Sequence, residues 1–367
     1  MSAAAMSNRW SRIALCGVLA VAAAASAQES VPKVDAAPTV DAGGAVTSVS
    51  ARFPFSAFAA SPQALERFRQ ILVEGKAAPG LAGPIEASRK FYDAINADRA
   101  ARMRKLYPVE ITAAKIGGVA VDIVAPVGKS DARRVLINLH GGAFLWGAGS
   151  GGLVESIPVA NLSAIKVVSV DYRQGPESAF PAASEDVESV YRALLKEHRA
   201  QDIGIYGCSA GGILTAEAVA WLASKRLPTP GAIGIFCAGV VDLQGDSAFV
   251  GPMLMGENVP TAPMSVGVLP YFKGADVASP LVMPGASPDV LARFPPTLLI
   301  SGTRDFAMSA VLRSDDLLTQ AGVSTELHVW EGMWHSFFSD PELPESKAAY
   351  QVMARFFQRH LGHPVRH

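Results

Sequence analysis

From Tyr107 to the C-terminus, short apolar runs alternate with helix-length stretches, and this alternation restricts the fold more than any other feature of the chain. The strand-like runs are Val109–Ile116, Val119–Ala125, Arg134–Leu139, Lys166–Asp171, Asp202–Tyr206, Ala232–Cys237, Thr297–Ser301 and Thr325–Trp330. Between them, Ala182–Glu197, Gly212–Lys225 and Met308–Ala321 read as helices. Strands that alternate with helices imply a mostly parallel sheet covered on both faces. Only Gly117-Gly118 separates the first two runs, so an antiparallel hairpin is expected at one sheet edge. The expectation is an α/β fold built on an eight-stranded, mostly parallel sheet. Hydrophobic residues make up 50% of the 367, enough apolar material for its core.

The flanks read differently. Residues 1–27 fit a removable export signal: Arg9 and Arg12, an apolar run from Ile13 to Ala25, then the small-x-small site Ala25-Ser26-Ala27. The run is too short to span a bilayer, which takes roughly 20 apolar residues. A periplasmic or secreted protein is therefore expected, with no stable membrane anchor once the signal is removed. Residues 28–50 lack helical or strand periodicity and read as a flexible linker. Within 51–106, Leu65, Phe68, Ile71 and Leu72, then Phe91, Ile95 and Met103, recur at helical spacing. Residues 107–367 form the sheet domain. Inside it, the alternation breaks down near 240–294, where Met253, Met255 and Met264 sit among Pro and Gly. Two readings stay open there: a lid over a binding site, or an insertion with its own small core.

A net charge of -1 offers no basic excess for nucleic acid or an anionic membrane. Cys208 and Cys237 both fall at buried strands, so no disulfide framework is expected. In the terminal segment Ser346–Leu361, Tyr350, Met353, Phe356, Phe357 and Leu361 make a broad apolar face, suited to core packing and leaving a homodimer contact open.

The chemistry concentrates in three places. Gly207-Cys208-Ser209-Ala210-Gly211 has G-x-S-x-G spacing, follows an apolar strand and leads into a helix. That strand–turn–helix setting presents a serine hydroxyl at the sheet edge, and the helix N-terminus favours developing negative charge. A serine needs a base, and in this arrangement the chain order is Ser, acid, His. His335 stands in the loop after the last strand, behind Gly332-Met333-Trp334, while His328 lies inside that strand and His360, His363 and His367 lie in or beyond the terminal helix. The acid is expected at Asp305, just past a strand's C-terminal end, with Asp242 as the rival; Asp315 and Asp316 fall on a helix. The segment His140-Gly141-Gly142-Ala143-Phe144 leaves another strand end. Its Gly141 and Gly142, with Ala210, are the expected oxyanion donors, each such donor being worth roughly 3 kcal/mol of barrier. His140 reads as a loop-holding residue. Cys208, adjacent to the serine on an extended strand, should point the other way.

These motifs come in a familiar order. His140-Gly141-Gly142, Asp171-Tyr172-Arg173, Phe180-Pro181-Ala182-Ala183 with Glu185-Asp186, and Gly207-Cys208-Ser209-Ala210-Gly211-Gly212 resemble the hormone-sensitive lipase family of bacterial carboxylesterases. The resemblance runs from about Tyr107 to the C-terminus, and the preceding helices resemble that family's N-terminal cap. It implies an α/β-hydrolase fold and hydrolysis of a small ester, usually of short acyl chain, without cofactor or bound metal. It also implies Ser209, Asp305 and His335 as the triad. An amidase or lactonase with the same triad, or a non-catalytic small-molecule receptor, are the alternatives. The chain departs from the family pattern in having Cys208 for Asp, Ala143 for Gly, Gln174-Gly175 for Leu-Ala and Phe306-Ala307 for Pro-Leu.

Overall fold

The computed structural model describes residues 39–40, 46–47, 53–55, 61–81, 83–128 and 130–362, and divides into two units, Met1–Pro54 and Phe55–His367. The expected signal at 1–27 lies outside the described residues. Within the stretch read as a linker, β1 (Thr39–Val40) and β2 (Val46–Thr47) pair as a short antiparallel ribbon. Both strands consist of β-branched Thr and Val, which favour extended backbone.

In the second unit the strands are β3 (Val109–Ile116), β4 (Val119–Pro126), β5 (Asp131–Leu139), β6 (Ile165–Val170), β7 (Ile203–Cys208), β8 (Ala232–Phe236), β9 (Thr297–Gly302) and β10 (Thr325–Trp330). They form one sheet in the order β10-β9-β8-β7-β5-β6-β4-β3. Its outer two pairings, β3 with β4 and β4 with β6, are antiparallel, and the rest are parallel. The expected edge hairpin turns at Gly117-Gly118, both at positive φ. At Gly117 a Cβ would also lie 2.3 Å from the Ser189 carbonyl oxygen.

The helices are α1 (Pro62–Glu74), α2 (Ile85–Leu106), α3 (Ser150–Ser163), α4 (Ala182–Leu194), α5 (Ala210–Ser224), α6 (Ser247–Leu254), α7 (Pro288–Leu291), α8 (Met308–Gln320) and α9 (Pro344–His360). Alternate strand residues feed two cores, as the two-residue period of a strand requires. Val135, Ile137, Ile205 and Ile235 pack with α4, α5 and α8. Leu136, Tyr206, Phe236 and Ile300 pack with α2, α3 and α9. The apolar face of α9 is used up in this second core: Tyr350, Met353, Phe356 and Phe357 are all buried there.

The helix α3 had no counterpart in the sequence reading. Gly151-Gly152 opens it, Pro158 interrupts it, and it is buried on nearly every side, so no amphipathic stripe announces it. The segment 240–294 has no core of its own. Its Val266, Leu269, Tyr271 and Phe272 belong to the same cluster as α4 and α5, and the Ala183 N–H donates to the Tyr271 hydroxyl. Among the described residues, no helix is long and apolar enough to cross a membrane.

The strand order decides where chemistry can sit. The chain leaves β5, returns to β6 on one side of it, then crosses to β7 on the other. Loops diverge at such a reversal and leave a crevice at the strands' C-terminal ends. Leu139 and Gly207 are direct partners in the register there. The segments that begin at His140 and Ser209 therefore start side by side.

Candidate active site

Ser209 sits at φ 57 and ψ -123, a backbone conformation that a residue with a side chain adopts only when its surroundings force it. The force is close packing at the elbow. A Cβ on Gly207 would lie 2.2 Å, and one on Gly211 1.7 Å, from the Leu139 carbonyl oxygen, so only glycine lets the turn nest against β5. The Ser209 N–H donates to the Phe236 carbonyl at 2.8 Å, and the hydroxyl is left at the mouth of the crevice.

His335 reaches that hydroxyl. Its Nε2 lies 2.9 Å from Ser209 Oγ, and its Nδ1 lies 2.7 Å from Asp305 Oδ1. Asp305 is fully buried, and its remaining capacity is filled by the Ser301 hydroxyl on Oδ2 and the Ala307 N–H on Oδ1, each at 2.9 Å. Burial pushes this carboxyl up, but the neighbouring imidazole and the two further donors, Ala307 and Ser301, outweigh it and hold it below the usual carboxylate range. Asp305 is thus a carboxylate aimed at His335, which keeps the Nδ1–H tautomer and leaves Nε2 free to take a proton from Ser209. The rival Asp242 is engaged elsewhere, accepting from the Ser265 hydroxyl and the Val266 N–H. His328 pairs with Glu326 on β10.

Gly142, Ala143 and Phe144 all take positive φ, folding the segment after β5 over the elbow. His140 anchors it. Its Nδ1 donates to the Gly141 carbonyl at 2.8 Å, its own carbonyl accepts from the Tyr172 hydroxyl at 2.6 Å, and its ring stacks on Tyr172. Burial pushes its pKa down to about 4, against the opposing pull of the Gly141 bond, so it stays neutral and does not compete as a base. Gln174, one of the departures from the family pattern, clamps the same loop by donating to the Trp146 carbonyl.

One donor assignment changes. The Gly141 N–H is directed at Glu155 Oε1 on α3, 3.4 Å away. The N–H groups of Gly142, Ala143 and Ala210 make no hydrogen bond to any described residue. The loop positions free to meet an oxyanion are therefore 142 and 143, with Ala210. Glu155 itself went unnoticed in the sequence because α3 did. It accepts from Asn138 Nδ2 at 3.0 Å, and burial raises its pKa to about 8 against the opposing bonds from Asn138 and the backbone.

A family model described as the alpha/beta hydrolase fold matches residues 136–339, more than half of the chain. The chain belongs to the α/β-hydrolase family. Among solved structures, it resembles esterase E25 at 31% identity and TM-score 0.76, covering 86% of this chain and 99% of that one. It also resembles an esterase from the bacterial hormone-sensitive lipase family at 26% identity and TM-score 0.73, covering 83% and 100%. An acetyl-hydrolase of Streptomyces hygroscopicus is 28% identical over 62% of this chain and 77% of its own length. These likenesses agree with the family resemblance carried by the ordered motifs.

In this α/β hydrolase, Cys208 is buried and lines the same crevice as Ser209, so the expectation from strand alternation that it points the other way does not hold. Its Sγ lies 2.9 Å from the Ser336 hydroxyl, and the Ser336 N–H donates to Cys237 Sγ at 3.3 Å. Burial raises both thiols above their ordinary values, so both remain protonated. The thiol pair therefore ties the elbow strand to the loop that carries His335. Cys237, Asp305 and His335 place ligand-type atoms within 4.8 Å of one another, but the His335–Asp305 hydrogen bond already occupies that space.

The hydrolase's cavity, 420 Å³ in volume, opens over Ser209. Leu243, Met264, Val266 and Leu269 from 240–294, with Phe306, give it an apolar side. Tyr92, Asn96 and Arg99 of α2 line it from the cap.

Proposed function

We propose that this α/β hydrolase is a serine carboxylesterase that acts through Ser209, His335 and Asp305. The observation that carries the proposal is the position of His335, within hydrogen-bond reach of both a strained serine hydroxyl and a buried carboxylate. In the first step His335 Nε2 takes the Ser209 proton as Oγ attacks the ester carbonyl. Asp305 steadies the imidazolium formed. The N–H groups of Gly142, Ala143 and Ala210 receive the oxyanion, preorganised in a loop that need not move as charge develops. His335 then protonates the departing alcohol. Water, activated by the same imidazole, hydrolyses the acyl-enzyme and restores Ser209.

The substrates proposed are esters of short acyl chains. The 420 Å³ cavity supports a small ligand, since drug-sized sites run from about 300 to 1,000 Å³. So do the names of relatives: the acetyl-hydrolase, and an ethyl acetate hydrolase of Pseudomonas putida, 25% identical over 63% of this chain and 74% of its own length. The test compares p-nitrophenyl acetate and butyrate turnover in wild type and Ser209→Ala, with fluorophosphonate labelling alongside. Turnover and labelling that both vanish in the variant are expected. Equal rates in the two proteins would remove Ser209 from the mechanism.

A further inference from the structure

We propose that Phe306 is a positioning residue for the general base: its ring covers one face of the His335 imidazole and favours the imidazolium that forms as Ser209 attacks. The inference rests on the esterase reading and adds to it a residue outside the triad.

The two rings are stacked. Their centroids lie 4.3 Å apart and their planes are 25° from parallel. The imidazole is thus gripped at both nitrogens and on one face. Asp305 Oδ1 meets Nδ1 at 2.7 Å, Ser209 Oγ meets Nε2 at 2.9 Å, and Phe306 covers the face. Adjacent residues supply the carboxylate and the ring, since Phe306 directly follows Asp305. Position 306 is also a departure from the family pattern, which has Pro there and so no ring.

Phe306 is held through its backbone. Its carbonyl accepts from the Ser247 hydroxyl of α6 at 2.8 Å. That hydroxyl accepts in turn from the Ser309 N–H at 2.8 Å, and the Ser309 hydroxyl accepts from the Ser247 N–H at 3.0 Å. The helix α6 lies so close that a Cβ on Gly251 would stand 2.8 Å from the Phe306 N and Cα. The segment 240–294 therefore fixes this ring as well as lining the cavity.

The chemistry follows from the charge distribution of the ring. An aromatic face is negative and attracts a cation within about 6 Å of its centroid. The imidazole that accepts the serine proton is neutral, and the cation exists only as that proton is taken. The attraction therefore strengthens on the way to the transition state, and only contacts of that kind raise kcat. The His335 side chain is 23% exposed, so water screens the contact in part and keeps it at the modest end of its range. Acylation and deacylation both pass through the imidazolium, so kcat gains whichever step is slower.

The experiment measures kcat and KM for ethyl acetate and ethyl butyrate by proton release, with purified full-length protein. These aliphatic esters have no ring of their own to stack on Phe306. Phe306→Leu, which keeps apolar bulk without a π face, should lower kcat for both by roughly threefold to tenfold while KM changes by less than about twofold. Phe306→trifluorophenylalanine keeps the shape of the ring but withdraws charge from its face, and it should lower kcat in the same direction. Phe306→Tyr should recover most of the wild-type rate. Packing alone would spare the fluorinated protein. A wild-type kcat in that protein, or a loss carried by KM alone, overturns the proposal. The fluorinated protein decides the matter even if the Leu variant does not fold. Absence of both ester turnover and fluorophosphonate labelling in wild type would instead overturn the esterase reading, and this role with it.

Discussion

Replacing Glu155 with Gln should flatten the pH dependence of stability, because this carboxyl is protonated in the fold and ionised in the unfolded chain across most of the neutral range. Its ordinary value is 4.5, and burial raises it to about 8. Between those two values the native state holds a proton that the unfolded state has released. The native state therefore binds more protons, and stability falls as pH rises through the window. The slope is about 1.4 kcal/mol per pH unit where the difference is a full proton, with a ceiling on the order of 5 kcal/mol over the whole span. Gln keeps the shape of the protonated acid and has no proton to lose. Turning over the Asn138 amide lets it pair with a Gln at 155 while the Ser169 hydroxyl, now 3.3 Å from Asn138 Oδ1, becomes the acceptor. The assay is the melting temperature of both proteins from pH 5 to pH 8. The wild-type value should fall relative to Glu155→Gln by roughly 2–3 °C per pH unit, at about 2 °C per kcal/mol for a domain of this size. Other titrating groups are common to both proteins and cancel in the difference. Parallel curves over that range would refute the raised carboxyl and the clamp it forms beneath the Gly141 N–H.

Other perturbations reach the remaining parts of the site. Asp305→Asn should lower kcat by about a thousandfold or more while leaving fluorophosphonate labelling detectable but slow, because His335 loses its tautomer control; unchanged kcat would remove Asp305 from the relay. Cys208→Ser should keep most ester turnover, and iodoacetamide should not inactivate wild type, since the thiol is buried and protonated; rapid inactivation through Cys208 would contradict its placement. Gly211→Ala should fail to give folded protein, as its Cβ would meet the Leu139 carbonyl oxygen at 1.7 Å, and a normal circular dichroism melt would count against the elbow packing. N-terminal sequencing of exported protein should begin at Gln28, and a start at or before Ala27 would displace the proposed cleavage site.

Much of the candidate site could be read from the chain because each part is locally encoded. Ser209 is marked by glycines on both sides and by the strand and helix that flank it. Asp305 and His335 are marked by lying just past strand ends in the order the fold demands. The loop after β5 was legible as a glycine pair, but which of its N–H groups stay free was not. It turns on Glu155, which takes the Gly141 N–H from a helix whose Gly151, Gly152 and Pro158 disguise it. The segment 240–294 could not be decided from composition either, because its apolar residues join the main core through contacts with distant helices.

The sequence by itself determined the alternation of strand and helix and the strand-end positions of Ser209, Asp305 and His335, since backbone preference and residue order express themselves over a few neighbours. Tertiary structure alone decided that Ser209 and His335, 126 residues apart, stand 2.9 Å from each other. It also decided that Arg99 on a cap helix shares their cavity, and that Cys208 braces the His335 loop through Ser336. Those meetings depend on parallel strands aligning their C-terminal ends in one row and on helices packing across them, and no local stretch of chain carries that information.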